Sequence, residues 1–208
     1  ALAAAGMSVA LFEADRVGRG ASGASTGWIL DEPPVSFAAL EASAGRRAAR
    51  QAFQAWRRAA LDFAALMRRL DLKCRLEPTG SLTASRTADE EETLRRDHAR
   101  RREAGLDATR MAPRAATAAV GFAAVGALRS RGAFTLDPYR ATLGLAAAAA
   151  AGGAQIFERS PVTRSASGRD EATLTVATGT AAAGTVRARH VIVATDHATA
   201  LFKPLARH

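Results

Sequence analysis

The sequence predicts an α/β fold in which one domain is interrupted by the insertion of another. An apolar segment at 8–12 ends at the carboxylate of Glu13, and a loop of small residues follows it. A helix and a second apolar strand return at 139–157. The region between them carries long helical patterns instead. A chain that leaves one domain and later returns to it gives a discontinuous first domain with an α+β insert.

The first segment, residues 1–45, begins with a helix tail that Gly6 ends. Residues 8–12 form a short apolar strand of the buried parallel kind. Residues 15–27 contain too much glycine for a regular element. The run Asp-Glu-Pro-Pro at 31–34 marks a break in the chain, which we take as the exit from this domain.

The insert, residues 46–135, opens with the clearest helix of the sequence, predicted over 46–72. Its apolar residues recur at every third or fourth position and make one stripe: Phe53, Trp56, Ala60, Phe63, Met67 and Leu70. Trp56 is therefore expected in the core. A strand pair or a bent strand is predicted at 75–85, and only loops and short strands are predicted at 107–135.

The last segment, residues 136–208, returns to the first domain. Pro138 begins a helix that closes at Gly152. A strand is predicted at 154–157, and 172–178 with 185–189 are predicted as a hairpin or meander around a Gly-containing turn. A buried parallel strand is predicted at 190–195.

The net charge of +9 raises the question of a nucleic-acid partner, which the charge pattern disfavours. Thr87 and Glu90 predict a capping box for a helix that ends near 103, and the densest arginine runs share this helix with acidic residues. Such a mixture is typical of a solvated helical face. The sequence also lacks the interleaved aromatic residues on which single-stranded nucleic acids stack.

Cysteine, histidine and hydropathy patterns disfavour several other classes. The single cysteine, Cys74, excludes an internal disulfide and is expected to be a small buried residue. No histidine pair has metal-ligand spacing with a carboxylate or cysteine partner, so no metal site is predicted. No apolar run has the length of a membrane span and no signal peptide is visible, and we expect a cytoplasmic location.

Glu13 is the strongest candidate for a binding residue. In a Rossmann unit, the acidic residue at the end of the second strand accepts hydrogen bonds from a ribose and lies roughly 20 residues after a Gly-rich phosphate loop. Counting back from Glu13 passes Ala1, so we expect the chain to begin inside the first helix, without that loop. The alternative is an ordinary solvated acid in a loop.

The small-residue loop at 18–27 is the second candidate. Glycine lets the main chain approach a ligand closely, and successive free amides can bind an anion. Ser22, Ser25 and Thr26 add hydroxyl groups. A flexible Gly/Ser linker is the alternative, and the absence of lysine argues against an NTP-hydrolysing P-loop.

Four stretches in order resemble the FAD-dependent amine oxidases of the D-amino-acid oxidase superfamily, and the glycine oxidases most closely. They are SVALFEADRVGRGASGASTG, LEPTGSLTAS, FTLDPYRATLGLAAAAAAGGAQIFERSPV and HVIVATDHAT. The resemblance implies a discontinuous Rossmann-like FAD-binding domain with an inserted substrate domain. It also implies an internal fragment, truncated at both ends, that binds FAD poorly by itself.

The resemblance assigns cofactor contacts position by position. They are Glu13 at the adenosine ribose with Ala14 beside it, Ala21 and Ser22 near the pyrophosphate, Thr26, Gly27 and Trp28 toward the isoalloxazine ring, the Val162 main chain at the adenine, and Ala194 and Thr195 closing the cleft. The family's substrate-binding arginine and its final FAD loop lie beyond the matching stretches, so the catalytic residues stay unknown.

The implied reaction is hydride transfer from the Cα–H of a small amine or amino acid to the flavin, with dioxygen reoxidising it. Alternatives are a dehydrogenase with another electron acceptor, a flavoprotein associated with tRNA modification, and a non-functional truncated reading frame. A homo-oligomer is left open. Asp31, Glu32 and Asp196 depart from the family pattern, which puts substrate and affinity in doubt.

Overall fold

The computed structural model describes residues 1–106, 108–178 and 181–196. By their internal contacts these residues form two compact units. Unit 1 combines Ala1–Ser25 with the chain from Pro138 onward, and unit 2 is Thr26–Asp137.

The helices are α1 Phe37–Ala44, α2 Arg46–Arg69, α3 Ala88–Glu103, α4 Pro113–Val120 and α5 Pro138–Ala151. The strands are β1 Ala10–Phe12, β2 Trp28–Ile29, β3 Glu77–Pro78, β4 Ser81–Ser85, β5 Thr109–Met111, β6 Gly126–Ser130, β7 Phe134–Thr135, β8 Gln155–Phe157, β9 Val162–Ser167, β10 Ala172–Thr178 and β11 Ala181–Ala188.

Unit 1 contains a parallel strand pair and an antiparallel meander. A 3₁₀ turn at Ala3–Ala5 ends at Gly6, whose left-handed conformation (φ 80°) lets its amide bond back to the turn. β1 follows and pairs in parallel with β8, which comes directly after α5. The meander has the order β11-β10-β9. The predicted parallel strand and hairpin are thus confirmed.

The expected burial of β1 is wrong for the part of the chain that the structure describes. Leu11 is 46% exposed and Phe157 of β8 is 41% exposed, while Phe12 stacks on Phe157 at 5.3 Å between ring centroids. The strand predicted at 190–195 is also wrong, since 190–196 have no regular structure and Ile192 is 73% exposed. No strand within the described ranges pairs with it, so its apolar run forms no ladder.

Unit 2 is built from α1–α4 and two small sheets, β2-β7-β3 and β4-β6-β5. One core cluster joins Phe37 of α1, Ala49 and Phe53 of α2, and Ala104 after α3. α2 is the predicted long helix, although it ends at Arg69. Trp56 is not core as predicted but 45% exposed, because its indole N–H donates to the Leu30 carbonyl at 2.9 Å at the surface.

The charged helix α3 begins with the predicted capping box. The Thr87 hydroxyl accepts from the Glu90 amide and the Glu90 carboxylate accepts from the Thr87 amide. The arginines of its two basic runs are exposed as predicted, except Arg101, which is buried and ion-paired at 2.6 Å with the buried Asp97. Cys74 is buried and free, as predicted.

The helix α4 replaces part of the region predicted as loops and short strands. Pro113 at its first turn and the left-handed Gly121 at its end are the usual start and stop signals of a helix. Its buried residue Ala116 packs with Ala124 and Ala127.

Compact units and functional domains need not coincide. Residues 26–45, which the sequence assigns to the first segment of the FAD-binding domain, belong to unit 2 by their contacts. The division into 1–45, 46–135 and 136–208 stays a prediction. Among the described residues, no helix has the length and apolar character needed to cross a membrane.

Candidate functional site

Glu13 lies at the carboxyl end of the parallel pair in unit 1. Its amide donates to the Phe157 carbonyl at 2.9 Å, and its carbonyl accepts from the Ser160 amide at 2.9 Å. These bonds continue the ladder of β1 and β8 beyond both strands. These two bonds fix the main chain of Glu13, and so they also fix the point from which its half-buried side chain extends.

The Glu13 carboxylate is oriented by the turn that follows it. Oε1 accepts from the Asp15 amide at 2.9 Å. Within the described residues Oε2 has no hydrogen-bond partner. A carboxylate held this way at the end of a parallel strand offers one oxygen to a hydroxyl donor.

The loop at 14–25 is tied to the turn after β8. The Arg159 amide donates to the Asp15 carbonyl at 2.8 Å. The Val17 amide donates to Oε1 of Glu158 at 2.8 Å. Sequence reasoning missed Glu158, since it lies 141 residues from its partner and no local pattern indicates the contact.

Two glycines let this loop fold back on itself. Gly18 has φ 80°, and a methyl group there would lie 2.9 Å from Cδ2 of the Tyr139 ring. A methyl group at Gly23 would overlap the Gly18 carbonyl oxygen. Both positions therefore require glycine, which argues against the flexible-linker alternative.

The tip of the loop presents main-chain amides. Within the part of the chain that the structure describes, the amides of residues 20–23 donate no hydrogen bond. Ala21 and Ser22 lie in this stretch and are exposed. Successive free amides in a tight loop can bind an anion such as a phosphate.

Three other predicted residues of unit 1 lie in the return segment. Val162 begins β9 opposite Val176, two residues after the Ser160 that donates to Glu13. Ala194 and Thr195 have no regular structure. Val162 is thereby linked along the chain to the Glu13 region.

The remaining predicted residues, Thr26, Gly27 and Trp28, belong to unit 2. Gly27 is buried, has φ 72°, and accepts from the Leu136 amide at 3.0 Å. Trp28 enters β2 and is 61% exposed. A large exposed indole beside a glycine is a surface on which a planar ligand can stack.

The two acids that depart from the family pattern have partners inside unit 2. Asp31 is buried and accepts from the Gly132 amide at 2.9 Å and from the Ser130 hydroxyl, while its Oδ1 has no partner among the described residues. Glu32 pairs with Arg101 at 2.7 Å. No group of three or more His, Cys, Asp or Glu in the described ranges could hold a metal ion.

The residues of unit 1 fit a dinucleotide. The free Glu13 oxygen suits ribose hydroxyls, and the main-chain amides of residues 20–23, which donate no bond among the described residues, suit a diphosphate. This combination is compatible with a nucleotide cofactor. The sequence model of the FAD dependent oxidoreductase family (DAO) matches residues 1–208, and the chain belongs to this family. Its cofactor is FAD.

Solved structures share this fold. The glycine oxidase of Geobacillus kaustophilus is 24% identical with a TM-score of 0.70 over 93% of this chain and 50% of its own. The L-amino acid deaminase of Proteus myxofaciens is 17% identical (TM-score 0.69, 91% of this chain, 40% of its own). The L-proline dehydrogenase of P. horikoshii is 17% identical (TM-score 0.62, 84% and 44%).

The chain thus spans about half the length of the glycine oxidase that it matches. No curated protein gives a significant match to the sequence. The family and the fold are shown by these comparisons, as the sequence predicted.

Proposed function

We propose that this protein functions in the oxidation of a small amine or amino acid with FAD. The observation that carries the proposal is the Glu13 carboxylate, which the Asp15 amide orients at 2.9 Å at the end of a parallel strand, with one oxygen left to accept from a ligand. The kinds of enzyme that share the fold support the substrate class.

Glu13 and the loop would hold the adenosine diphosphate side of the cofactor. Oε2 of Glu13 accepts from the ribose hydroxyls, with Ala14 beside it. The free amides near Ala21, together with the Ser22 hydroxyl, donate to the pyrophosphate. The main chain of Val162 meets the adenine. These contacts bind and orient the cofactor and take no part in bond breaking.

Residues of the second group would lie toward the reacting ring. Thr26, Gly27 and Trp28 line its approach, and Ala194 and Thr195 close the cleft. When bound, FAD supplies a hydride acceptor for the Cα–H bond of the substrate. The resulting imine is hydrolysed by water, and the protein's contribution is to orient the substrate and exclude competing donors.

The visible absorbance of the purified full-length protein tests the proposal. We expect an oxidised-flavin band that bleaches anaerobically on addition of glycine, sarcosine or a D-amino acid. Peroxide released in air identifies dioxygen as the acceptor, while bleaching without peroxide identifies a dehydrogenase. A colourless protein that takes up no added FAD contradicts the proposal.

Glu13→Ala tests the binding residue itself. Charge-assisted hydrogen bonds contribute about 1.5–3 kcal/mol, so we expect the FAD dissociation constant to rise roughly 10- to 100-fold. Glu171→Ala is the control for loss of a glutamate, because Glu171 is an exposed glutamate of unit 1 in the turn between β9 and β10. Equal affinities of the two variants would remove Glu13 from the site.

A further inference from the structure

We propose that Glu158 is a positioning residue that sets the direction of the cofactor-binding loop through the amide of Val17. The inference rests on the proposed function, since it concerns the loop assigned there to the pyrophosphate. Glu158 itself touches the loop and is not assigned any contact with FAD or substrate.

The turn after β8 holds alternate residues of the loop's beginning. The amides of Ser160 and Arg159 donate to the carbonyls of Glu13 and Asp15. Those two bonds use only main-chain atoms, so they depend on no particular side chain at 159 or 160. The third bond differs, because the Val17 amide donates at 2.8 Å to a side-chain oxygen of Glu158. Of the three bonds between the turn and the loop, this one alone uses a side chain of the turn.

Val17 is the last residue before the loop folds back. Its neighbour Gly18 packs directly against the Tyr139 ring and also lies against Gly23. The chain is therefore held at 17 by Glu158 and at 18 by Tyr139, immediately before the free amides of 20–23. Because these amides lie only a few residues further on, a rotation of the peptide at Val17 changes where they point.

The turn that carries Glu158 is itself fixed. The hydroxyl of the buried Ser160 donates to the Glu158 carbonyl at 2.9 Å. The Glu158 side chain is exposed, and so is its bond to Val17. An exposed hydrogen bond adds little to folding stability, so we expect this bond to affect mainly the local geometry of the loop.

The negative charge of Glu158 allows a positioning role to be distinguished from a direct electrostatic effect on the ligand. A carboxylate near a bound diphosphate repels it, so an acid at 158 without a geometric role would weaken binding. Without a geometric role, removing the side chain would therefore strengthen binding, whereas a positioning role predicts that removing it weakens binding. A glutamine at 158 keeps the accepting oxygen and loses the charge, which makes it the deciding variant.

The experiment compares Glu158→Ala and Glu158→Gln in the full-length protein, stripped of flavin and titrated with FAD by fluorescence. We expect Glu158→Ala to raise the FAD dissociation constant about three- to tenfold. Glu158→Gln should bind as tightly as the wild type or somewhat more tightly. The thermal midpoint of both apoproteins should stay near that of the wild type, and Glu171→Ala serves as the charge-matched control.

Two results overturn the inference while leaving the proposed function in place. One is an alanine variant that binds FAD like the wild type, and the other is tighter binding by the alanine and glutamine variants alike. A wild type that takes up no FAD removes the proposed function and this inference with it. If Glu158→Ala does not fold, Glu158→Asp replaces it, because its side chain is one methylene too short for the Val17 bond and should also weaken binding.

Discussion

Unit 2 and unit 1 are stabilised in different ways. Unit 2 has aromatic side chains at its centre, with Phe37 and Phe53 in edge-to-face contact at 5.4 Å, and a buried ion pair beside them. In unit 1, the described part of the β1–β8 pair leaves Leu11 and Phe157 exposed, and main-chain hydrogen bonds and glycine contacts shape the loop. Substitutions in this core of unit 2 should therefore reduce stability, while those in the loop of unit 1 should mainly reduce binding.

The largest effect is expected for Phe53→Ala in unit 2. The Phe53 ring is buried between Phe37, Ala49 and Ala104, and the Arg101 guanidinium lies 5.0 Å above its centroid. Truncating a buried phenylalanine costs about 3–5 kcal/mol. Denaturant unfolding measures this loss as a shift of the midpoint at constant slope.

The control for Phe53→Ala is Leu61→Ala on the same helix, since Leu61 is 42% exposed. Its effect on unfolding should be small. Similar losses for the two variants would mean that unit 2 is not organised around the cluster at Phe53.

Arg101→Ala should have the next largest effect. Arg101 is buried and donates to Asp97 at 2.6 Å and to Glu32 at 2.7 Å. Its removal leaves two acids without their cation, and breaking a buried pair costs about 3 kcal/mol or more. Arg58→Ala is the matched control, because Arg58 and Asp62 form an exposed pair at the same helical spacing. Equal unfolding midpoints for the two variants would contradict this account.

Gly23→Ala should show the reverse behaviour in unit 1. Because the added methyl group would overlap the Gly18 carbonyl, the loop must open and its free amides must move. We expect FAD affinity to fall roughly tenfold or more, with a smaller change in unfolding than for Phe53→Ala. Gly184→Ala controls for the substitution itself, since a methyl group there meets nothing within 4 Å. A Gly23→Ala protein with wild-type affinity would show that the loop at 18–23 does not bind the cofactor.

Elements determined by residues close together in the sequence were predicted, and elements that depend on distant contacts were not. The capping box of α3 and the start of α5 at Pro138 follow from residues a few positions apart, and both were predicted. Trp56 fits the apolar stripe of α2 by spacing, but its indole nitrogen finds a carbonyl that belongs to a distant loop. The run at 190–195 has the composition of a strand, yet a strand also requires a partner, which its own residues do not specify.

The residues of the candidate site also differ in whether a local pattern or a distant contact identifies them. Glu13 could be singled out from the chain, because an acid directly after an apolar strand and before a small-residue loop is a local pattern. Glu158 could not, since its contact with Val17 joins residues 141 apart. The glycine requirement at Gly23 likewise depends on how the loop folds back on Gly18. Local chemistry was predictable, whereas the contacts that orient it depend on the folded topology.

The smallest effect concerns an exposed group of unit 2. Hydrogen bonds from Arg95 and Arg96 lower the pKa of Glu92 from 4.5 to about 2. Since the folded pKa lies below the unfolded value, the stabilisation is present above about pH 4.5 and is lost as the pH falls toward 2. Because all three side chains are largely exposed, salt should screen the effect and unfolding should change little. An NMR titration of the Glu92 carboxyl group should give a midpoint near 2 that rises in Arg95→Gln. A wild-type midpoint near 4.5 would show that these hydrogen bonds do not persist in solution. The exposed ion pairs at Glu92 would then contribute nothing to the stability of unit 2, in contrast to the buried pair at Arg101.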